Sequence, residues 1–246
     1  MSNDRGVFTL GAYRRAQVEG QGVDLNDVWL PQEASKYGYM GGGYAGGDIT
    51  IVDKITFDTD TIARSPSANL PANVSSTGSF SSPSAGFILG GNEGPSPFPS
   101  SQSSVRKLTY ATDIFSINPS PVNYGTGQSY TNIMGAASPT YGYIAGGQID
   151  GSYSGNRTRR MSLATETWSV LRDGSGTNLS SQMENIGQAI GNQEAGYWCG
   201  SNPGGGRSRI HKITYSTETG STAGVISGYP SSKGRSNMAS VGNANN

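Results

Sequence analysis

One short phrase recurs along this chain: GYMGGG from Gly38, GFILGG from Gly86, GYIAGG from Gly142 and GYWCGS from Gly196. The starts lie 48, 56 and 54 residues apart. A period near 50 residues means that one supersecondary unit is built repeatedly and stacked on itself, because a single unit of that size cannot bury its apolar face alone. This constrains the fold more than composition does. Gly, Pro and Ser make up about a third of the chain, which without a period would mark low complexity; with a period, the same residues mark turns and close packing between repeated strands.

A second phrase travels with the first: VDKITFDTDT from Val52, VRKLTYATDI from Val105, TRRMSLATET from Thr158 and IHKITYSTET from Ile210. Each carries a basic residue (Lys54, Lys107, Arg160, Lys212), then alternating apolar positions, then Thr-Asp or Thr-Glu. Alternation with period two is the signature of a half-buried strand. The acids Asp58 to Asp60, Asp113, Glu166 and Glu218 stand where that strand must turn, and are expected to accept hydrogen bonds from their own backbone. A further strand follows each turn.

A third phrase opens with Asn73, Asn132, Asn185 and Asn237 and is rich in small residues. The predicted unit is therefore a glycine strand, a basic strand, a strand after the turn and an asparagine strand. Four strands per unit make a propeller blade. The small residues of the asparagine strand suit the crowded innermost position, and the double glycines allow close backbone approach. The chain enters the repeats on a glycine strand and leaves them on an asparagine strand, so the last strand can complete the first blade and remove an exposed edge. Completion by another subunit is the alternative.

These phrases resemble the kelch repeat family, over Gly38 to the C-terminus, with the family's later tryptophan met at Trp168 and its basic residue near the inner strand at Arg235. The expected fold is all-β: a small kelch-like propeller of four repeats of four strands over residues 38–246, with blades starting near 38, 86, 142 and 196.

Residues 1–37 lack all three phrases and hold nine charged residues. Val7, Phe8, Leu10 and Tyr13 sit beside Arg14 and Arg15, and Val28, Trp29 and Leu30 follow. That is too much apolar surface for a free tail. The segment either packs back on its own propeller as a cap or docks on a partner as an anchoring arm; anchoring is the favoured expectation. The succession RGVFTLGAYRR, DVWL and GYMGGG is similar to kelch-like structural proteins of tailed bacteriophages, notably marine cyanophages. That resemblance implies a virion component, such as a tail fibre, appendage or decoration protein, made in the host cytoplasm, present in multiple identical copies and attached to other virion proteins by the arm.

Chemistry-bearing constellations are sparse. With one His (His211) and one Cys (Cys199), the chain supplies too few nitrogen and sulfur ligands for an ordinary zinc or copper site, and no cofactor is expected. A single Cys also precludes an internal disulfide. Basic and acidic residues balance at 17 each, so no net field attracts nucleic acid. No apolar run approaches the ~20 residues of a membrane span, and the N-terminus has no secretory h-region. The segment SLATETW at Ser162 lacks the Asp and Gly of a sialidase turn. The acids Asp48, Glu93, Asp150 and Glu194 are expected as solvated loop charges, and His211 as decoration of its strand.

Links after each glycine strand and before each asparagine strand vary in length, whereas the opposite turns are uniform. Variable connections on a rigid scaffold carry recognition. Their Tyr, Ser, Gly and Asn content suits adaptable binding, with Tyr44, Phe98, Tyr124, Tyr130 and Tyr153 as candidates to meet a host surface glycan or protein. The expected function is non-enzymatic. The competing readings are a cytosolic kelch-type interaction module and a glycan-cleaving propeller whose two carboxylates converge from distant blades.

Overall fold

The computed structural model describes residues 36–43, 49–65, 67–93, 100–101, 103–122, 130–149, 152–153, 158–172, 188–199 and 209–225. All regular structure among them is β. The first sheet consists of β1 (Tyr37–Gly41), β2 (Val52–Thr56) and β3 (Thr61–Arg64), in that order. After β4 (Val74–Ser75) the chain builds a second sheet from β5 (Gly78–Ser81) and β6 (Ala85–Leu89). It detours through β7 (Asn92–Glu93) and β8 (Ser100–Ser101), then returns as β9 (Val105–Thr109) and β10 (Ile114–Asn118). The sheet order is β5-β6-β9-β10, following the chain.

The third repeat copies this plan. β11 (Tyr130–Thr131) leads into β12 (Met134–Ala137) and β13 (Tyr141–Ala145); β14 (Gln148–Ile149) and β15 (Ser152–Tyr153) intervene before β16 (Thr158–Ser162) and β17 (Trp168–Arg172). The fourth sheet is β18 (Gln188–Gly191), β19 (Ala195–Cys199), β20 (Arg209–Thr214) and β21 (Thr219–Val225). Neighbours pair antiparallel throughout, so the order read from the three phrases is the order of the sheets.

The inner strand is set by its offset from the glycine phrase rather than by its asparagine. Gly78, Met134 and Gln188 open β5, β12 and β18, each seven residues before Ala85, Tyr141 and Ala195 open the next strand. In that register Asn132 stands opposite Ser76, not Asn73. Both adopt left-handed backbone (φ 55° and 56°), a conformation asparagine tolerates better than most residues.

Adjacent sheets pack face to face because each strand alternates. One face of the second sheet presents Phe87, Leu89 and Val105, which meet Ile144 and Met161 of the third in one buried cluster. Val52 of the first sheet meets Leu108 of the second, with Tyr39 stacked on Tyr110 at 5.8 Å. Tyr143 and Ala145 of the third meet Trp198, Ile213 and Tyr215 of the fourth, where Tyr143 and Tyr215 stack at 4.7 Å. Each large apolar side chain buried there contributes about 1.5–3 kcal/mol, so these three layers hold the array together.

Two glycines show how close the layers come. A Cβ at Gly135 of β12 would lie 2.3 Å from the Ser79 carbonyl oxygen of β5, so the small-residue inner strands run backbone against backbone. A Cβ at Gly142 would lie 2.2 Å from the Phe80 ring, which occupies the space that a side chain would take.

Candidate functional site

The two ends of each strand are built differently. At one end lies the turn between the basic strand and the one after it. The last acid of that turn has positive φ in every repeat: Asp60 50°, Asp113 54°, Glu166 55° and Glu218 52°. This backbone is uncommon for a side-chain-bearing residue. The acids do not serve the local backbone role expected of them. Each of the last three reaches instead to the basic residue of the preceding sheet.

Lys54 donates to Asp113 Oδ2 at 2.5 Å, Lys107 to Glu166 and Arg160 to Glu218. Supporting donors converge on the same carboxylates: Tyr39 on Asp113, Asn118 on Glu166 at 2.7 Å and Tyr143 on Glu218 at 3.4 Å. These latches are roughly a quarter exposed. Each is therefore worth about 1 kcal/mol, between the exposed and buried extremes. Burial works to raise the Asp113 pKa, but the bonds from Lys54 and Tyr39 outweigh it and hold the carboxyl below its ordinary value. The bond to Asp113 raises the Lys54 pKa correspondingly. Tyr143 is pushed up to about 12, first by burial and then by the Glu218 charge.

The other end carries the variable links. They are not merely loops, because part of them forms two small extra sheets, β4-β7-β8 and β11-β14-β15. Beneath the first of these lies Arg106, 1% exposed, whose guanidinium donates to the Gly90 carbonyl at 2.9 Å and to Glu93 Oε2 at 3.0 Å. Burial lowers the Arg106 pKa from the ordinary arginine value, and Glu93 opposes that shift. Glu93 is therefore a structural partner that ties the link to the sheet, not the solvated loop charge expected from sequence. Arg159 and His211 hold the corresponding register position and are also 1% exposed. His211 is thus buried rather than decorating a strand surface, and stands opposite Trp198. This buried row is visible in VRK, TRR and IHK as the residue before the marked base, but nothing in the sequence alone shows that it faces inward.

Of the binding candidates, Tyr130 lies in β11 with no exposed surface and belongs to the core between the second and third sheets. It is a packing residue, not a binding aromatic, because the link it stands in is folded down as an extra sheet. Tyr153 has its backbone in β15, and its side chain falls outside the described residues. Tyr44, Phe98 and Tyr124 lie outside the described residues, as do Val7, Phe8, Leu10, Tyr13, Arg14, Arg15, Val28, Trp29 and Leu30 of the arm, and Asp48 and Asp150. Glu194 is exposed, as expected. Among the described residues no three or more His, Cys, Asp or Glu side chains lie where they could hold a metal ion, and no helix is long and apolar enough to cross a membrane.

Among the described residues a three-stranded and then three four-stranded antiparallel sheets, stacked face to face in chain order, make this an all-β protein of β-propeller-like architecture. No family model and no curated protein matches the chain. Among solved structures it is similar to that titled "Structure of YjhT", with a TM-score of 0.62 and 12% identity over 79% of this chain. The match spans 64% of that longer chain, just under two thirds of its length. At that identity the likeness concerns the fold alone.

Proposed function

We propose that this protein is a non-enzymatic structural component of a tailed-bacteriophage virion. In this reading it is a kelch-like propeller of four blades, attached through residues 1–37 and presenting its variable links to the surroundings. The phrase at Asn237 supplies the inner strand of the first sheet, which is three-stranded among the described residues where the other three have four. Multiple identical copies follow from the symmetry of virion parts.

The observation that carries the reading is the division of labour between the two strand ends. Latches and uniform turns fix one end, while every connection that varies in length leaves from the other, the arrangement of a rigid scaffold that presents changeable segments. The resemblance of the repeats and of the N-terminal segment to phage structural proteins supplies the biological setting. The ligand class that such Tyr-, Ser- and Asn-rich links would suit is a host surface glycan or protein.

Deleting residues 1–36 tests the attachment. The expected result is a folded propeller, with an unchanged unfolding transition, that no longer incorporates into particles. A loss of stability with particle attachment retained would assign the arm to capping and overturn the reading. Single-particle imaging of native particles provides the independent check, because a free disc absent from any particle would favour a cytosolic interaction module.

A further inference from the structure

Among the described residues the first sheet ends at β1, where the other three sheets carry an inner strand, β5, β12 or β18. The chain between the end of one outer strand and the start of the next inner strand covers residues 65–77, 119–133 and 173–187, or 13, 15 and 15 residues. After Val225, the end of β21, a link of the same 13 residues, 226–238, leads to Ala239. Ala239, Ser240 and Gly242 are small, as an inner strand requires where backbones run in contact. Asn237 stands two residues before Ala239, just as Ser76 and Asn132, both of left-handed backbone, stand two residues before Gly78 and Met134.

The two halves of a fourth latch accompany this edge. Asp60 is exposed and has φ 50°, against 54°, 55° and 52° at Asp113, Glu166 and Glu218. On the fourth sheet Lys212 lies over the Tyr197 ring at 5.7 Å, as Lys54 lies over the Tyr39 ring at 5.4 Å. Each latch runs from the base of one sheet to the turn acid of the next, and in a closed ring the sheet after the fourth is the first. Met40, 51% exposed, holds the position of Ile144 and Trp198, which are buried against the preceding sheet.

We propose that the chain closes its own ring in one defined register. Ala239 to Gly242 lies antiparallel along β1, with Ala239 opposite Gly41, Ser240 opposite Met40, Val241 opposite Tyr39 and Gly242 opposite Gly38, and Lys212 latches to Asp60. The register is that of β12 on β13, where Met134, Gly135, Ala136 and Ala137 stand opposite Ala145, Ile144, Tyr143 and Gly142. A link of the right length, small residues at the inner positions and opposite charges across the seam all select this segment as the occupant of the edge. The inference rests on the four-blade part of the reading above and is independent of virion attachment.

The test is disulfide trapping in the full chain carrying Cys199→Ser. Met40→Cys with Ser240→Cys places two thiols on one face of directly paired strands, within bridging reach. Mild oxidation is expected to link them within a monomer, whereas Tyr39→Cys with Ser240→Cys puts the thiols on opposite faces and is expected to link little. Equal or greater linkage in the Tyr39 pair would overturn the register, and linkage between copies would overturn closure by the chain itself. So would no linkage in a protein that keeps its β circular dichroism. For the latch, Asp60→Lys or Lys212→Glu alone is expected to lower the urea midpoint, and the two together in one chain to recover most of that loss. No loss in either single variant, or a double variant no better than both, would overturn the pairing of Lys212 with Asp60. Incorporation of the same proteins into particles is scored separately, so a failure of closure with attachment intact is distinguished from a failure of the virion reading with closure intact.

Discussion

Glu93→Ala isolates the buried charge under the first extra sheet. It removes the carboxylate bonded to Arg106, leaving a guanidinium with 1% exposure and the Gly90 carbonyl. Breaking a fully buried pair costs about 3–5 kcal/mol, because the surviving charge is uncompensated. The Glu93 side chain keeps 28% exposure, so water partly replaces it and the expected cost falls to about 2 kcal/mol. For a chain of this size that corresponds to a lowering of Tm by about 4–8 °C. The assay is thermal and urea unfolding of wild type, Glu93→Ala, Arg106→Met and the double variant, read as a double-mutant cycle. Removing both partners should be far less damaging than removing Glu93 alone, since an apolar side chain of similar length leaves no charge to solvate. If Glu93→Ala changes stability by less than about 0.5 kcal/mol, or if the double variant is the worst of the set, Arg106 is hydrated or otherwise held, and the reasoning from its burial is wrong.

Gly142→Val should be severely destabilising, by about 3 kcal/mol or more. The Phe80 ring stands in the path of any Cβ, so Phe80→Ala in the same chain should recover part of the loss in urea unfolding. Tyr130→Ala should cost about 3–5 kcal/mol in the same assay, like other large-to-small core changes. A surface aromatic would cost almost nothing there. The Asp113 carboxyl has a folded pKa below its unfolded value of about 3.9. Its contribution is therefore present above that value and lost as pH falls through the folded value. Asp113→Asn should remove that part of the acid dependence as pH falls below about 3.9, measured by urea midpoints. Lys54, whose folded pKa is raised, contributes below its unfolded value of about 10.4 and loses that contribution as pH rises through the folded value. Lys54→Met should therefore flatten the alkaline limb of the same profile.

The sheets are legible in the sequence because alternation and punctuation are local properties. The basic strands from Val52, Val105 and Thr158 start where their phrases start, and the glycine strands open one residue before each marked glycine. The inner strand is less legible. Its asparagine is a turn residue whose position drifts, whereas the seven-residue offset to the next strand reflects a fixed tight turn. The latch is hidden for a different reason. Both of its columns, Lys54, Lys107, Arg160 and Asp113, Glu166, Glu218, are plain in the sequence, but an acid in a turn has an adequate local explanation, and only the stacking shows that it reaches the neighbouring sheet. Glu93 and Tyr130 escape a reading by sequence because a link of variable length has every local mark of an exposed loop. Once links fold into extra sheets, their polar and aromatic residues become supports.

The separation along the chain between latch partners is 59 residues for Lys54 and Asp113, 59 for Lys107 and Glu166, and 58 for Arg160 and Glu218. It stays constant although individual links differ, since a long link in one place is offset by a short one in another. Each junction can therefore form as soon as one further repeat has left the ribosome, without waiting for distant sequence. The near-equal spacing allows the layers to assemble from the N-terminus as a series of equal steps, each consolidating the last. A change in link length that left the fold intact at equilibrium would still upset that rhythm, and would show first in the yield of native protein during synthesis.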